Sequence, residues 1–124
     1  MLSAQILIVE DEVSLLKIYK EELTSAGHEC IGVRSGEEAA ALIDSQKFDV
    51  VIADLNLAGS MSGIALLGKC SRDFLKMKII VITGMTGLED TAFGKSGFPG
   101  SNQTLFKPFD YGELTRSVEN ALAG

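Results

Sequence analysis

The 124-residue sequence contains no apolar run near the ~18–20 residues that a helix needs to cross a bilayer. Residues 1–5 carry no basic charge and lead directly into a strand-like pattern, so they lack the features of a signal peptide. The two cysteines, Cys30 and Cys70, stand alone without the spacing of metal ligands, and we expect both to be small, at least half-buried side chains. These absences argue against membrane insertion and favour a cytoplasmic protein.

Positive charge is also scarce. The chain has 17 acidic and 11 basic residues, which gives a net charge of −6. Such a domain repels a phosphate backbone, which argues against direct binding to nucleic acid. The acidic residues are scattered apart from the run 10–12, so we expect most of the excess charge at the solvated surface.

Internal repeats and interdomain linkers are absent, so the length favours a single domain over residues 1–124. Strand-like and helix-like patterns alternate from end to end, which is typical of βαβ units and a parallel sheet. The first, third and fourth strand-like segments are continuously apolar and the second has the mixed composition of an edge strand; the segments are 6–9, 29–33, 50–53, 79–82 and 105–106. We predict an α/β fold with one doubly wound, five-stranded parallel sheet in the order 2-1-3-4-5.

Local signals predict the first two helices. Apolar residues at helical spacing run from Val13 to Ala26, and Gly27 is a plausible C-terminal stop. Ser35 and Glu38 have the spacing of a capping box, which predicts the start of the second helix.

Two further helices are predicted in the second half of the chain. One follows Ser62. The last begins at Asp110, where Glu113 would complete a capping box and Phe109 would pack onto Leu114.

The segment 84–102 lacks the composition of a long helix. It contains glycine at positions 84, 87, 94, 97 and 100 together with Pro99, and an interior glycine costs ~1 kcal/mol relative to alanine. We therefore predict an atypical, glycine-rich fourth-helix region.

Polar side chains stand where the predicted strands end. In strand order they are Glu10, Asp11, Asp54, Thr83 and Lys107. Because the carboxyl ends of parallel strands meet at one edge of the sheet, these side chains would share one small pocket. Each has a simpler explanation when taken alone, such as a strand-ending carboxylate or a solvated lysine. Together they indicate a functional site.

The chemistry of this set fits phosphoryl transfer. Carboxylates at one edge repel one another unless a cation neutralises them, and oxygen donors suit Mg²⁺, with Mn²⁺ as a possible substitute. Asp54 could act as a nucleophile that attacks phosphorus and forms an acyl phosphate. Lys107 would supply a fixed positive charge and Thr83 a hydroxyl donor. Gly84 would leave room for the phosphodonor.

This combination resembles the receiver domain of bacterial response regulators in two-component signalling, over essentially the whole chain. The motifs that carry the resemblance are Val9-Glu10-Asp11-Glu12, Asp54, Thr83 and Lys107-Pro108-Phe109. The resemblance implies a flavodoxin-like fold with a phosphoacceptor aspartate, a switch hydroxyl and a lysine, which would be Asp54, Thr83 and Lys107. It also implies a Mg²⁺ site formed by Glu10, Asp11, Asp54 and the backbone carbonyl of Asn56.

The same resemblance implies the partners. The phosphodonor would be a histidine kinase or a histidine phosphotransfer protein, and a downstream protein partner or output domain would read the phosphorylated state. The domain would phosphorylate itself in the presence of Mg²⁺ and slowly lose the phosphoryl group, rather than act as a turnover enzyme. We expect no DNA-binding domain within these residues.

Some positions depart from the family pattern. Ala58 stands where proline is usual, and the loop 58–62 looks one residue longer than usual. Thr104 stands where an aromatic switch residue is frequent. We therefore expect an altered signalling readout, with residues 84–102 mobile before phosphorylation and partly ordered after it.

Two alternative functions have to be weighed. One is a receiver-like interaction module that is never phosphorylated, against which the retention of Asp54, Lys107 and the acidic pair argues. The other is a flavodoxin-like cofactor binder, but no glycine-rich phosphate loop follows the first strand and the carboxylates would repel a flavin phosphate. Binding of the phosphoryl mimic beryllofluoride with Mg²⁺ separates the first hypothesis from both alternatives.

Overall fold

The computed structural model describes residues 3–54, 66, 77–84, 103–107, 109–110 and 112–123. Strands and helices alternate through these ranges. The strands are β1 (Gln5–Val9), β2 (Glu29–Val33), β3 (Val50–Asp54), β4 (Lys78–Thr83) and β5 (Gln103–Phe106). The helices are α1 (Val13–Ser25), α2 (Gly36–Ser45) and α3 (Glu113–Ala123).

The strands form one parallel sheet of five in the order β2-β1-β3-β4-β5. Strand β1 pairs on both sides, so that Ile8 lies opposite Gly32 of β2 and Ile52 of β3. The predicted strand order is confirmed, and β2 occupies an edge, as its mixed composition predicted. The order brings the ends of β1, β3, β4 and β5 together along one side of the sheet.

The core lies on the two faces of the sheet, because successive side chains of a strand point to opposite faces. On the face covered by α2 the buried side chains are Leu7, Val9, Val33, Ala39, Ile43, Phe48, Val51, Ala53, Leu66, Met77, Ile79 and Val81. On the face covered by α1 and α3 they are Ala4, Ile6, Ile8, Tyr19, Leu23, Val50, Ile52, Ile80, Ile82, Leu114, Val118 and Ala121. Burial on both faces explains the continuous apolar runs of the central strands.

Helix α1 follows its predicted pattern except at its first residue. Tyr19 and Leu23 are buried against the sheet, and Gly27 has a φ of 98° just beyond the helix, as its role as a stop predicted. Val13, however, is 57% exposed. At roughly 100° per residue it lies about 80° around the helix from Leu23, away from the face that meets the sheet. The prediction that Val13 belongs to the buried face is therefore wrong.

Helix α2 begins with the predicted Ser35 cap, and the Glu38 side chain accepts from the Ser35 hydroxyl at 3.2 Å. The Oγ of Ser35 accepts a hydrogen bond from the backbone N–H of Glu38 at 3.1 Å, and the Ser35 backbone is extended, as an N-cap requires. Ala39 and Ile43 are buried one and two turns later, and Leu42 is half-buried beside them.

Helix α3 begins later than the sequence predicts. The predicted start was Asp110, whereas the helix starts at Glu113. The carbonyl of Asp110 accepts a hydrogen bond from the N–H of Glu113 at 3.1 Å, and Gly112 between them has a φ of 97°. These residues form a turn that only a glycine enters without strain. Phe109 packs against the core cluster that contains Leu114, and its predicted direct contact with Leu114 stays a prediction.

Several predictions fall outside the described residues. They concern the helix after Ser62, the loop 58–62, Cys70 and most of the segment 84–102. Cys30 is half-buried, as predicted. Among the helices that the structure describes, none is long and apolar enough to cross a membrane.

Replacement of Ser35 by alanine should lower the free energy of unfolding by about 1 kcal/mol, because the first turn of α2 loses its side-chain cap. Urea unfolding followed by circular dichroism measures the loss. Ser45→Ala, at the other end of the same helix, is the matched control and should change the free energy by less than about 0.5 kcal/mol. Equal losses in the two variants would show that the Ser35 hydroxyl does not cap the helix.

Candidate phosphoryl-transfer site

Four strand ends place polar side chains at one edge of the sheet. Glu10 follows β1, Asp54 ends β3, and Thr83 ends β4. Lys107 follows β5. The register pairs Asp54 with Ile82 and Thr83 with Phe106, so neighbouring strands end nearly level.

Lys107 joins two of the predicted acidic residues. Its Nζ lies 2.5 Å from Oδ2 of Asp54 and 3.4 Å from Oε1 of Glu10. Asp54 and Glu10 are 3% and 1% exposed, whereas the lysine side chain is 26% exposed. One partly solvated ammonium group therefore forms ion pairs with two buried carboxylates.

The electrostatics of this group reflect that sharing. Burial raises the pKa of Glu10 to about 7; the negative charge of Asp54 adds to the shift, and the Glu12 N–H and Lys107 oppose it. Burial alone would lower the pKa of Lys107, but its hydrogen bond to Asp54 and the charges of Asp54 and Glu10 raise the pKa overall. The pocket thus disfavours additional negative charge and retains its cation.

Backbone hydrogen bonds fix the two ends of this arrangement. The N–H of Lys107 donates to the carbonyl of Thr83 at 2.8 Å, which extends the β4–β5 pairing to the lysine itself. The N–H of Glu10 donates to the carbonyl of Val33 at 3.0 Å, and Oε2 of Glu10 accepts from the N–H of Glu12 at 3.1 Å. The sheet therefore holds the backbones of Lys107 and Glu10 at the point where their side chains meet.

The other predicted site residues are Asp11, Thr83 and Asn56. Asp11 is half-buried beside Glu10, and its carbonyl accepts a hydrogen bond from Nη2 of Arg34 at 3.4 Å. Thr83 is fully buried at the end of β4. Asn56, predicted as a metal ligand through its backbone carbonyl, lies outside the described residues.

Two of the three predicted acids, Glu10 and Asp54, form ion pairs with Lys107. In the described part of the chain, no group of three or more histidine, cysteine, aspartate or glutamate side chains is arranged to hold a metal ion. Glu10 and Asp54 nevertheless provide the hard oxygen donors that suit Mg²⁺, which is commonly held by one or two carboxylates. The donor chemistry fits a divalent cation, and the assignment of Glu10, Asp11, Asp54 and Asn56 as its ligands stays a prediction.

Gly84, predicted to leave room for a phosphodonor, follows β4 and is exposed. A Cβ atom at this position would lie 3.6 Å from Cδ of Lys107, which is an ordinary van der Waals contact. The described residues therefore do not require glycine here on steric grounds.

Sequence reasoning missed a group of residues on α1 that adjoins the site. The rings of Tyr19 and Phe109 stack with their centroids 5.7 Å apart, and Phe109 stands two residues after Lys107. Burial raises the pKa of Tyr19 to about 12, so the phenol stays neutral. Glu22, one turn after Tyr19, is buried and contacts the start of α3. The sequence signal that could have drawn attention to Glu22 is an acidic residue at the spacing of the apolar face of α1.

The fold and this site define a phosphoacceptor-type α/β domain, and the chain belongs to the response regulator receiver domain family, whose sequence model matches residues 6–119. It is 29% identical over 119 residues to the transcriptional regulatory protein GlrR of Escherichia coli, covering 96% of this chain and 26% of that protein. It is 30% identical over 110 residues to the transcriptional regulatory protein TcrA of Mycobacterium tuberculosis, covering 89% of this chain and 42% of that protein. The chain thus spans less than half the length of these curated relatives.

Solved structures agree with this assignment. The response regulator TrrA of Thermotoga maritima, crystallised in complex with Mg²⁺ and BeF, superimposes with a TM-score of 0.81 at 28% identity, covering 94% of this chain and 97% of that one. NtrX of Brucella abortus, in complex with ADP, superimposes with a TM-score of 0.88 at 28% identity, covering 98% of this chain and 27% of that one. The prediction of a receiver domain is confirmed, and the alternative of a flavodoxin-like cofactor binder is wrong.

Replacement of Lys107 by alanine should lower the free energy of unfolding of the metal-free protein by on the order of 2 kcal/mol, because two buried carboxylates lose their shared cation. The same replacement in an Asp54→Asn background should cost about 1 kcal/mol less, because one of the charges is already gone. Urea unfolding of the four proteins in this cycle measures the coupling. Lys17→Ala, on the exposed face of α1, is the control for loss of a lysine. Equal losses in the two backgrounds would contradict an energetic coupling between Lys107 and Asp54.

Proposed function

We propose that this chain, taken as one receiver domain over residues 1–124, accepts a phosphoryl group on Asp54 and changes conformation in response. The donor is a histidine kinase or a histidine phosphotransfer protein. The observation that carries the proposal is the 2.5 Å contact between Nζ of Lys107 and Oδ2 of Asp54. A buried carboxylate beside a fixed ammonium group supplies the nucleophile and the positive charge that phosphoryl transfer needs.

The transfer exchanges one bond to phosphorus for another. A carboxylate oxygen of Asp54 bonds to phosphorus as the bond between phosphorus and the donor's imidazole nitrogen breaks, and the electron pair of that bond returns to the nitrogen. The product is an acyl phosphate. The phosphoryl group adds negative charge to a pocket that already holds Glu10. Within the described residues, the ammonium group of Lys107 contacts the carboxylates of Glu10 and Asp54. The ammonium group therefore stabilises the product as well as the attack.

A divalent cation completes the charge balance in this proposal. Glu10, Asp11 and Asp54, with the backbone carbonyl of Asn56, would hold Mg²⁺, and Mn²⁺ is an acceptable substitute. When bound, the ion supplies neutralisation of the transferring phosphoryl oxygens. The support is the pair of buried oxygen donors at the sheet edge and the complex of the Thermotoga relative with Mg²⁺ and BeF.

The proposed readout runs through Thr83. This hydroxyl is fully buried at the end of β4, and the backbone carbonyl of Thr83 holds Lys107 in register. Contact between the phosphoryl group and Thr83 would pull on the same strand ends that carry Lys107. A downstream protein partner or an output domain then reads the change, without direct contact between this domain and nucleic acid. The domain is cytoplasmic in this proposal and acts on its own aspartate rather than on a separate substrate.

Incubation with acetyl phosphate and Mg²⁺ should add one phosphoryl group to the parent protein, as measured by intact mass. Asp54→Asn should abolish the adduct because the amide is not a nucleophile for phosphorus, and EDTA should abolish it by removing the cation. Asp49→Asn is the matched control and should leave the adduct intact, because Asp49 precedes β3 and Asp54 lies at the other end of that strand. An adduct that persists in Asp54→Asn, or forms equally in EDTA, would refute the proposal.

Lys107→Ala and Thr83→Ala should separate phosphorylation from conformational change. Each variant should still bind beryllofluoride with Mg²⁺, but the backbone chemical-shift changes that accompany binding in the parent should shrink, because one of the two side chains that draw the strand ends toward the mimic is missing. Two-dimensional ¹H–¹⁵N spectra with and without the mimic measure this. If either variant reproduced the full set of parental shift changes, the role proposed for that residue would be wrong.

A further inference from the structure

The carboxylate of Glu22 lies at the start of α3, although the residue belongs to α1. Glu22 is 6% exposed. Its Oε1 accepts a hydrogen bond from the N–H of Gly112 at 3.3 Å, and its Oε2 accepts from the N–H and the hydroxyl of Thr115 at 2.9 and 2.7 Å. A buried carboxylate is thereby satisfied by three donors from one distant turn.

These contacts do the work of a capping box from another helix. In a capping box, the N-cap side chain accepts from the N3 backbone N–H, and the N3 side chain accepts from the N-cap N–H. In α3 the N-cap position is Gly112, which has no side chain, and N3 is Thr115. Glu22 accepts from both backbone groups, and its negative charge also interacts favourably with the positive end of the helix dipole. The start of α3 at Glu113, rather than at Asp110, follows from this arrangement.

A second contact from α1 lies one turn before Glu22. The ring of Tyr19 stacks on Phe109 with an interplanar angle of 23°. Residues three apart on a helix share a face, so both contacts are made by the same side of α1. Together they attach α1 to the connection between β5 and α3 at two points, Phe109 and the turn from Gly112 to Thr115.

Lys107 stands at the beginning of this connection. Lys107 lines a cavity of about 340 Å³ together with Tyr19 and Glu22 of α1 and with Phe109. Because this side of the lysine faces a cavity, close packing does not hold its aliphatic chain there. Besides its ion pairs with Asp54 and Glu10, the position of Lys107 depends on how the backbone segment around it is attached, namely by the hydrogen bond to Thr83 and by the two contacts from α1.

We propose that Glu22 is a positioning residue for the phosphoryl site. By holding the start of α3 against α1, it fixes the β5–α3 connection and keeps the Lys107 ammonium group on Asp54. The link to phosphorylation rests on the function proposed above; the link between Glu22 and Lys107 does not.

The test compares Glu22→Ala with two controls. Glu21→Ala removes the neighbouring carboxylate, which is exposed, and Ile43→Val weakens the core on the opposite face of the sheet. The first measurement is the ¹H–¹⁵N signal of the Lys107 ammonium group in the metal-free protein, assigned by its loss in Lys107→Ala. We expect the parental signal in both controls and a signal shifted toward that of a solvated lysine, or broadened by exchange, in Glu22→Ala.

A general loss of stability would not produce this pattern, because Ile43→Val also destabilises the fold but leaves the lysine in place. Glu22→Gln keeps the shape of the side chain and one acceptor oxygen, so its Lys107 signal should lie between those of the parent and of Glu22→Ala. This variant replaces Glu22→Ala in the test if the alanine variant does not fold. A parental Lys107 signal in the folded Glu22 variants would overturn the proposal.

The second measurement is the affinity for beryllofluoride in the presence of Mg²⁺, which should fall by roughly tenfold in Glu22→Ala and stay parental in both controls. An altered lysine signal with parental affinity would overturn the positioning role at the phosphoryl site. If the parent protein itself did not bind the mimic, the proposed function would fail, and the ammonium signal would still decide whether Glu22 positions Lys107.

Discussion

The contact of one ammonium group with two buried carboxylates is the constraint around which this domain is organised. Asp54 and Glu10 are almost completely removed from water at the edge of the sheet. Two carboxylates in that position repel each other and lose hydration, and Lys107 offsets both effects. The lysine can do so only if β5 pairs in register with β4, because the hydrogen bond from Lys107 to the Thr83 carbonyl continues that ladder. The ion pairs of the site therefore form only when the strands have this order and this register.

The two sides of the sheet contribute differently to that requirement. Helix α2 packs on one face through small and branched apolar side chains such as Ala39 and Ile43. Helix α1 packs on the other face and also carries Tyr19 and Glu22, which contact the connection after β5. One face thus supplies mainly hydrophobic stabilisation, whereas the other links the core to the segment that bears Lys107. The sequence of α1 is that of an ordinary amphipathic helix, yet its side chains also contact the segment that follows Lys107.

Local sequence patterns predicted what depends on neighbours in the chain. The apolar runs identified the central strands, Ser35 identified the start of α2, and the polar residues at strand ends identified Asp54 and Lys107 as partners in one pocket. The start of α3 was wrong because its cap comes from Glu22, 93 residues before Thr115, which no local pattern reveals. The predicted burial of Val13 was wrong because this residue lies about 80° around the helix from Leu23, outside the face that meets the sheet. The sequence likewise could not show that Lys107 pairs with Glu10 as well as with Asp54, because these contacts depend on side-chain positions in the folded protein.

Glu10 and Lys107 are 97 residues apart along the chain. A ribosome synthesises β1 and β3, with their acids, well before β5 exists. Closing so long a loop carries an entropic penalty, and pairings between distant segments form late in folding for that reason. Until β5 docks, the edge of the sheet carries acids without the lysine that neutralises them. Pairing of β5 with β4 and completion of the charge balance are consequently the same event, so a partly synthesised chain differs electrostatically from a finished one at the strand ends that carry Glu10 and Asp54.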